Sequence, residues 1–351
     1  MAETVKLGFV PLVDCAVPVV ARELGFAAAE GIDLVLEREA GWAAVRDKLA
    51  FGLLDAAHIL APLPLALHLG LGGIPAVPMA VPMALGLGGN AITVSLPLFG
   101  RMTEADPDAM AGPRAGSARA LKPVIEADRR AGKPPLSFAT VFPFSSHTYE
   151  LRAWLAGAGI DPDRDVNLGV VAPARMVESL ASGWIDGYCV GEPWNLRAVQ
   201  RGIGAVVASK WDIRPDAPEK VLGLRAAWVD QDPARTIGLV RALVKAAAWA
   251  DAAENRAALA EMLAAPDYVG TFPEVIAMAL TGRPVLRPGG EPVALDTHVF
   301  FRDRATEPLP ERAQWLVDQM LRWDRSGLTA EGATAALAAV WRPELWAAAV
   351  G

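Results

Sequence analysis

The chain has 351 residues, 53% of them hydrophobic, and its 33 basic and 40 acidic side chains give a formal net charge of −7. This length fits two medium-sized domains, and the composition excludes a disordered or coiled-coil protein. Because the charge balance is acidic, we expect no direct nucleic-acid binding, which needs a basic surface. The two cysteines, Cys15 and Cys189, are far apart in sequence and predict neither a disulfide framework nor a metal site.

The N-terminal third alternates between strand and helix patterns at short intervals. The predicted elements are, in order, strand 5–10, helix 18–29, strand 32–37, helix 42–51 and strand 55–60. Repeated β–α–β units of this kind form a parallel sheet with right-handed crossovers. Ligands of such open sheets lie beyond the carboxyl ends of the strands, so the loops that follow these strands are candidate site positions.

No Asp, Glu, Lys or Arg occurs between Ala56 and Gly100. Prolines and glycines interrupt this stretch so often that no part of it could stay helical over the roughly 18 residues that a membrane span needs. The sequence therefore predicts buried strands, short helices and turns here, and no membrane span. The first residues also lack the basic start and apolar stretch of a signal peptide. We expect a cytoplasmic protein, with a periplasmic protein trimmed of its signal as the alternative.

A second α/β unit follows, and the chain then becomes mostly helical. The predicted elements are helix 117–131, strand 136–141, helix 147–158, strand 166–171, helix 175–182, strand 186–190, strand 221–228 and helices 233–253, 254–264, 273–280, 309–326 and 330–339. The last helices cannot form a sheet domain of their own, so we expect them to return to the first lobe. The resulting fold class is α/β, with lobe I formed by 1–92 and 200–351, lobe II by 93–199, and crossings near 91–98 and 191–202.

Two motifs that could indicate enzyme chemistry do not fit their structural context. The glycine-rich run 86–91 is nearly a dinucleotide fingerprint, but an alternating strand pattern follows it instead of a helix. Its glycines are better explained by close approach of another backbone, with the Asn90 amide available as a donor. The run Ser145-Ser146-His147 is a helix start capped by Ser146, and a serine next to a histidine in sequence is no catalytic triad. We expect no catalysis.

Five residues indicate a ligand site when their positions are considered together. Each has an ordinary structural explanation by itself, such as a buried tryptophan or a charge at the end of a loop. All five lie at loop or element ends, in both lobes and at the crossings, where a cleft ligand would be held. They are Trp42, Asn90, His147, Gly191 and Lys220.

Several strings resemble the nitrate- and bicarbonate-binding proteins of the NrtA/CmpA type. They are GFVPLVDCA at 8–16, WAAVRD at 42–47, DAAHILAP at 55–62, GNAITVS at 89–95, IDGYCVGEPWN at 185–195 and PEK at 218–220. The resemblance implies a type II periplasmic-binding-protein-like fold whose two lobes close over a small planar anion, without a cofactor. It implies that Lys220 supplies the positive charge, while His147, Asn90, the Trp42 indole N–H and the Gly191 backbone amide donate hydrogen bonds.

The resemblance also bears on the ligand and the partner. Bicarbonate-binding members are implied to carry a carboxylate in place of the lysine and to use calcium, so Lys220 favours nitrate or nitrite. The chain begins almost at its first strand, which resembles the cytoplasmic nitrate/nitrite sensors of the NasS type. Those sensors are implied to bind an RNA-binding antiterminator partner of the NasT type. The alternative is the substrate-binding protein of a nitrate ABC importer, with a permease partner. An enzyme on the same fold is a third and weaker hypothesis.

The resemblance further predicts a pH effect through His147. The unperturbed pKa of histidine is near 6.5, and a bound anion favours the protonated ring. Affinity for nitrate is therefore expected to rise as the pH falls from about 8 to about 6 if His147 lines the site.

Overall fold

Strands and helices alternate along the first two thirds of the chain, and helices dominate the last third. The computed structural model describes residues 2–112, 114–323 and 327–351. Its strands are β1 (Glu3–Phe9), β2 (Ile32–Arg38), β3 (Ala56–Leu60), β4 (Met79–Ala84), β5 (Leu87–Gly88), β6 (Asn90–Ser95), β7 (Ser137–Thr140), β8 (Asn167–Val170), β9 (Gly187–Gly191), β10 (Gly204–Ser209), β11 (Lys220–Arg225) and β12 (His298–Val299).

The helices include one of 19 residues and many short ones. They are α1 (Ala16–Glu23), α2 (Phe26–Ala29), α3 (Trp42–Ala50), α4 (Pro62–His68), α5 (Leu96–Ala105), α6 (Pro107–Met110), α7 (Leu121–Arg130), α8 (Ser146–Gly157), α9 (Met176–Ala181), α10 (Trp194–Gln200), α11 (Lys210–Ile213), α12 (Ala226–Gln231), α13 (Pro233–Asp251), α14 (Arg256–Ala264), α15 (Pro273–Leu280), α16 (Pro310–Trp323), α17 (Ala330–Val340) and α18 (Pro343–Val350). Short 3₁₀ turns cover Val13–Cys15, Pro173–Arg175 and Ala253–Asn255.

The first sheet has the strand order β2-β1-β3-β11-β4. Strands β1, β2 and β3 are parallel, as the repeated β–α–β pattern predicts, and β11 runs antiparallel to β3. Lys220, the first residue of β11, pairs with Leu60, the last residue of β3. The reversed direction of β11 therefore places Lys220 at the carboxyl-terminal edge of the parallel strands.

The second sheet has the strand order β10-β6-β9-β7-β8. Strand β6 runs antiparallel to β9, and Asn90 pairs with Gly191 at the carboxyl end of β9. Strand β10 completes the edge by pairing with β6, although residues 200–351 were assigned to lobe I. The second crossing therefore lies after Ser209, later than the predicted 191–202. The assignment of the remaining residues to two lobes stays a prediction.

Most of the C-terminal helices pack back onto the first sheet's layer. Helix α13 lies against α1, α17 lies against α4 and β4, and α18 lies against β4 and α13. Trp341 forms a bridge with Val81 of β4 and so covers that edge strand. Helices α15 and α16 also contact α10 and α8 of the second layer. The helical C-terminal part therefore returns to the first layer, as expected, and also contacts the second.

Three predicted elements differ from the observed ones for local reasons. The predicted helix 18–29 is divided into α1 and α2 at Gly25, whose φ of 72° is left-handed. The predicted strand 221–228 ends at Arg225, and helix α12 follows directly. The end of the predicted helix 309–326 lies outside the described residues, which reach Trp323 at this point.

The uncharged stretch 56–100 forms β3, α4, β4, β5 and β6, which are almost wholly buried between the helical layers. Within the described ranges, no helix has the length and apolar character that crossing a bilayer requires.

The glycine-rich run has the predicted role of allowing close backbone approach. Gly88 has a φ of 84°, and a Cβ on it would lie 2.2 Å from the carbonyl oxygen of Thr297. Strand β12 pairs with β5 at this point. The run therefore allows a neighbouring strand to approach closely. A nucleotide-binding fingerprint would have to open a helix, and this run does not.

Candidate functional site

The five predicted residues lie at facing edges of the two sheets. Lys220 lies at the carboxyl-terminal edge of the first sheet, and Trp42 begins α3, which follows β2. Asn90 and Gly191 lie at the corresponding edge of the second sheet, and His147 is in the first turn of α8, which follows β7. The Lys220 Nζ lies 5.2 Å from the centroid of the Trp42 ring. All five residues are buried.

Three of the predicted donors surround one carboxylate of the protein itself, that of Glu219. Lys220 Nζ donates to Glu219 Oε1 over 2.7 Å, and Asn90 Nδ2 donates to Oε2 over 2.7 Å. His147 Nδ1 lies 3.4 Å from Oε1, and the Ser146 hydroxyl also donates to Oε2. Burial alone would raise the pKa of Glu219, but Lys220, His147 and Lys210 lower it to about 2. The site thus holds a planar, negatively charged group.

A second carboxylate, that of Asp14, neutralises Lys220 from the first sheet's side. Lys220 Nζ donates to Asp14 Oδ2 over 2.7 Å, and His58 Nε2 lies 3.1 Å from Oδ1. Burial alone would raise the pKa of Asp14, but Lys220 and His58 hold it well below its usual range. Burial alone would lower the pKa of Lys220. The carboxylates of Asp14 and Glu219 outweigh this effect and raise the pKa above its ordinary value. Lys220 is therefore a buried cation and not the solvated charge that its position at the end of a loop would ordinarily predict.

A second buried lysine, Lys210, begins α11 on the other side of Asn90. Its Nζ lies 2.5 Å from Glu150 Oε1 and 3.7 Å from Glu219 Oε2. Asn90 Nδ2 also donates to Glu150 Oε2 over 3.0 Å. Burial raises the pKa of Glu150, and the nearby Glu219 carboxylate raises it further. Lys210 acts in the opposite direction and lowers it. The buried cluster thus contains two lysines and three carboxyl groups, linked through Asn90.

Several buried polar atoms in this cluster have no hydrogen-bond partner within the described ranges. They are Trp42 Nε1, His58 Nδ1, both ring nitrogens of His147 and Asn90 Oδ1. Leaving a buried donor without a partner costs about 1 to 3 kcal/mol. A ligand that accepts from the N–H donors among these atoms, those of the Trp42 indole and the two imidazole rings, would recover that cost, whereas Asn90 Oδ1 is an acceptor.

His147 is neutral in this environment, since burial lowers its pKa to about 3. The ring therefore offers one N–H donor, and protonation between pH 8 and 6 is not available to the anion-free protein. The expected rise in nitrate affinity over that range therefore requires the bound anion to raise the His147 pKa from about 3 to above about 6, and it stays a prediction. The helix cap also differs: Ser145, and not Ser146, accepts from Thr148 N over 3.1 Å.

The Gly191 amide faces away from β6. Glu192 N donates to Gly89 O over 2.9 Å, so Asn90 and Gly191 form a non-hydrogen-bonded pair of the antiparallel ladder. In such a pair each N–H points away from the partner strand. The Gly191 amide therefore points to the side of β7, the strand that leads to His147.

Sequence patterns did not predict six residues of the cluster as site residues: Asp14, His58, Ser146, Glu150, Lys210 and Glu219. Two had usable signals. Glu150 is three residues after His147 and so shares its helix face, and Glu219 precedes Lys220. Among the residues that the structure describes, no group of three or more His, Cys, Asp and Glu side chains has the arrangement of a metal site.

Comparison with known proteins places the chain in a family. The model of the NMT1-like family matches residues 2–264. The nitrate/nitrite binding protein NrtA of Synechocystis sp. is 31% identical over 332 residues, covering 91% of this chain and 70% of that protein. The chain belongs to the NMT1-like family, with the NrtA-type proteins. The predicted family resemblance is thereby confirmed, while its narrower likeness to NasS stays a prediction.

The fold is also confirmed. The crystal structure of the periplasmic nitrate-binding protein NrtA from Synechocystis matches with a TM-score of 0.90 and 30% identity, covering 99% of this chain and 88% of that one. This NMT1-like chain therefore has the periplasmic-binding-protein fold.

Other similar proteins are longer. The nitrate import ATP-binding protein NrtC of Synechocystis sp. is 38% identical over 322 residues, and the bicarbonate transport ATP-binding protein CmpC of the same organism is 37% identical over 321. These matches cover 90% and 91% of this chain but 45% of each relative. The chain thus spans about half the length of both ATP-binding proteins.

Proposed function

We propose that the chain binds nitrate or nitrite at the buried cluster and acts as the solute-binding component of an ABC-type nitrate import system. One observation carries the proposal. Lys220, Asn90 and His147, which the family resemblance implies as anion ligands, all lie against the two oxygens of the Glu219 carboxylate. The arrangement of donors thus suits a planar oxyanion. Relatives named as nitrate/nitrite binding proteins support the same ligand.

The chemistry of nitrate matches such a site. Nitrate is a planar monoanion with three acceptor oxygens and is weakly hydrated, so its transfer from water into a dry site costs less than that of a strongly hydrated anion. Charge-assisted hydrogen bonds from an ammonium group are about twice as strong as neutral ones. Lys220 would supply that charge, and the Trp42 and His147 N–H groups would supply neutral donors.

Identity alone does not distinguish nitrate from bicarbonate, because NrtC and CmpC are nearly equally similar to the chain. The buried ammonium of Lys220 favours nitrate and nitrite.

The test is calorimetric titration with nitrate, nitrite, bicarbonate and taurine, together with thermal unfolding. We expect nitrate or nitrite to bind one-to-one and to stabilise the folded protein by about 2.7 kcal/mol at one hundred times the dissociation constant. Lys122→Ala, on the exposed face of α7, is the matched control and should bind like the parent. A flat response to both anions up to millimolar concentrations would reject the proposal.

A second candidate is the cytoplasmic nitrate/nitrite sensor that binds a NasT-type antiterminator. It is the role that the resemblance to NasS-type sensors implies, whereas the relatives named as nitrate import proteins support the import role more directly. Linkage requires that nitrate and the partner weaken each other's binding by the same factor, typically about 5- to 150-fold. Co-purification with the antiterminator, with and without nitrate, distinguishes this role. Capture of a permease complex would instead support the import role.

A further inference from the structure

We propose that Glu219 is an internal ligand of the anion site, and that an incoming anion binds by displacing its carboxylate. This inference rests on the proposed binding of nitrate or nitrite. It assigns Glu219 a role as competitor, which sets the affinity of the site for external anions.

The contacts of Glu219 support this role. Its carboxylate accepts from Lys220 and Asn90 at 2.7 Å each and lies 3.4 Å from His147 Nδ1. These are three of the five residues that an external anion would need. A carboxylate and a nitrate ion share a planar geometry and a single negative charge, so both cannot occupy the same donors at once.

Charge balance favours exchange over addition. With Glu219 in place, the cluster already sets three carboxyl groups against the ammonium groups of Lys210 and Lys220. An added monoanion would leave a further buried charge without compensation, which is strongly unfavourable. Exchange leaves the net charge of the cluster unchanged because, in this proposal, the displaced Glu219 side chain turns out of the cluster towards solvent as the anion enters.

Displacement would also affect the segment that joins the two sheets. Glu219 is the last residue before β11, and both lysines that flank the segment contact it. Its backbone is held in place, since Ala61 N donates to Glu219 O over 3.0 Å. The side chain is therefore the part that moves. Occupancy of the site would change the contacts at both ends of 210–219.

The experiment compares Glu219→Gln and Glu219→Asp with the control Glu126→Gln by nitrate calorimetry. Glu219→Gln removes the competing charge, and Glu219→Asp keeps the charge on a side chain shorter by one methylene. Since like charges a few Å apart repel strongly in a buried site, we expect nitrate to bind at least about tenfold tighter to Glu219→Gln. Glu219→Asp should also bind more tightly. Glu126→Gln removes a carboxylate on the exposed face of α7, away from the cluster, and should change the affinity less than about threefold.

Two further measurements test the inference even if a Glu219 variant is too unstable for calorimetry. Without nitrate, the melting temperature of Glu219→Gln should be below that of the parent, because Lys220 loses a partner, and nitrate should raise it more than it raises that of the parent. Titration of the parent at about pH 6.5 in two buffers of different ionisation enthalpy should show no proton uptake. At this pH Glu192 is already protonated, because burial raises its pKa to about 8, so it should not take up a proton when the anion binds.

The outcomes separate the inference from the proposed function. If the parent binds nitrate but both Glu219 variants bind equally or more weakly, Glu219 is not a competitor. Uptake of one proton per anion that persists in a His147→Gln variant would mean that Glu219 stays in place and is neutralised, which also overturns the exchange. If neither the parent nor any variant binds nitrate or nitrite, the proposed function itself fails, and the inference fails with it.

Discussion

The two buried lysines at either end of the segment 210–219 make an instructive comparison. Both are almost fully buried, and both pair with carboxylates within 2.7 Å. Around Lys220, however, the Trp42 indole and the His147 ring have buried nitrogens without a partner in the described part of the chain. At Lys210 the Glu150 carboxylate takes up both the ammonium and Asn90 Nδ2. A buried charge alone therefore does not mark a ligand site, whereas a surplus of buried donors around it does.

The comparison predicts the largest effect at Lys220. Lys220→Ala would remove the only ammonium that contacts both Asp14 and Glu219 within the described residues, and breaking such a buried pair costs about 3 to 5 kcal/mol. We expect nitrate affinity to fall by at least about 100-fold in calorimetry. Lys122→Ala serves as the control. An affinity within threefold of the parent would remove Lys220 from the site.

Lys210 should matter for stability more than for binding. Lys210→Met would leave Glu150 without its counter-charge and should lower the free energy of unfolding by about 3 kcal/mol, measured by urea denaturation. Nitrate affinity should change less than at Lys220. The double variant Lys210→Met with Glu150→Gln should recover much of the lost stability. A loss of nitrate affinity as large as that of Lys220→Ala would erase the distinction between the two lysines.

The acid stability of the cluster should depend on Glu219. Its pKa of about 2 is lower than the ordinary value of 4.5. A carboxyl group with a lowered folded-state pKa stabilises the protein above its unfolded-state pKa, and this contribution is lost as the pH falls from about 4.5 towards 2. The loss should be roughly 2 to 3 kcal/mol. Urea denaturation across this range should show a steeper fall for the parent than for Glu219→Gln, and parallel curves would contradict the assigned pKa.

The smallest expected effect concerns the Trp42 indole N–H. Trp42→Phe keeps an aromatic ring beside Lys220 and removes the donor, whose hydrogen bond to an anion is worth about 1.5 to 3 kcal/mol. Nitrate affinity should fall by about tenfold or more. Trp184→Phe, at a side chain that is 67% exposed, is the control. Equal affinities for the two variants would mean that the Trp42 indole does not contact the anion.

Local sequence patterns predicted which strands and helices occur better than they predicted where those elements end. Alternation and helix periodicity are local properties, so β1 to β3 and α3 were placed within two residues of their observed bounds. The break at Gly25 and the end of β11 at Arg225 depend on backbone conformation and on the following helix, which hydrophobic patterns do not encode. Strand β10 was assigned to the wrong side of the crossing because its partner, β6, is more than one hundred residues earlier.

By itself, the sequence determined the α/β class, the absence of charge from the buried stretch 56–100, and the placement of five candidate ligand residues at element ends. Tertiary structure alone decided which charges meet. Lys220 pairs with Asp14, which is 206 residues earlier, and Asn90 joins Glu150 to Glu219 from two other elements. The physical reason is that a buried charge is tolerable only with partners in contact, and contacts between sheet edges are set by the packing of whole strands and helices. No local pattern around Lys220 specifies them.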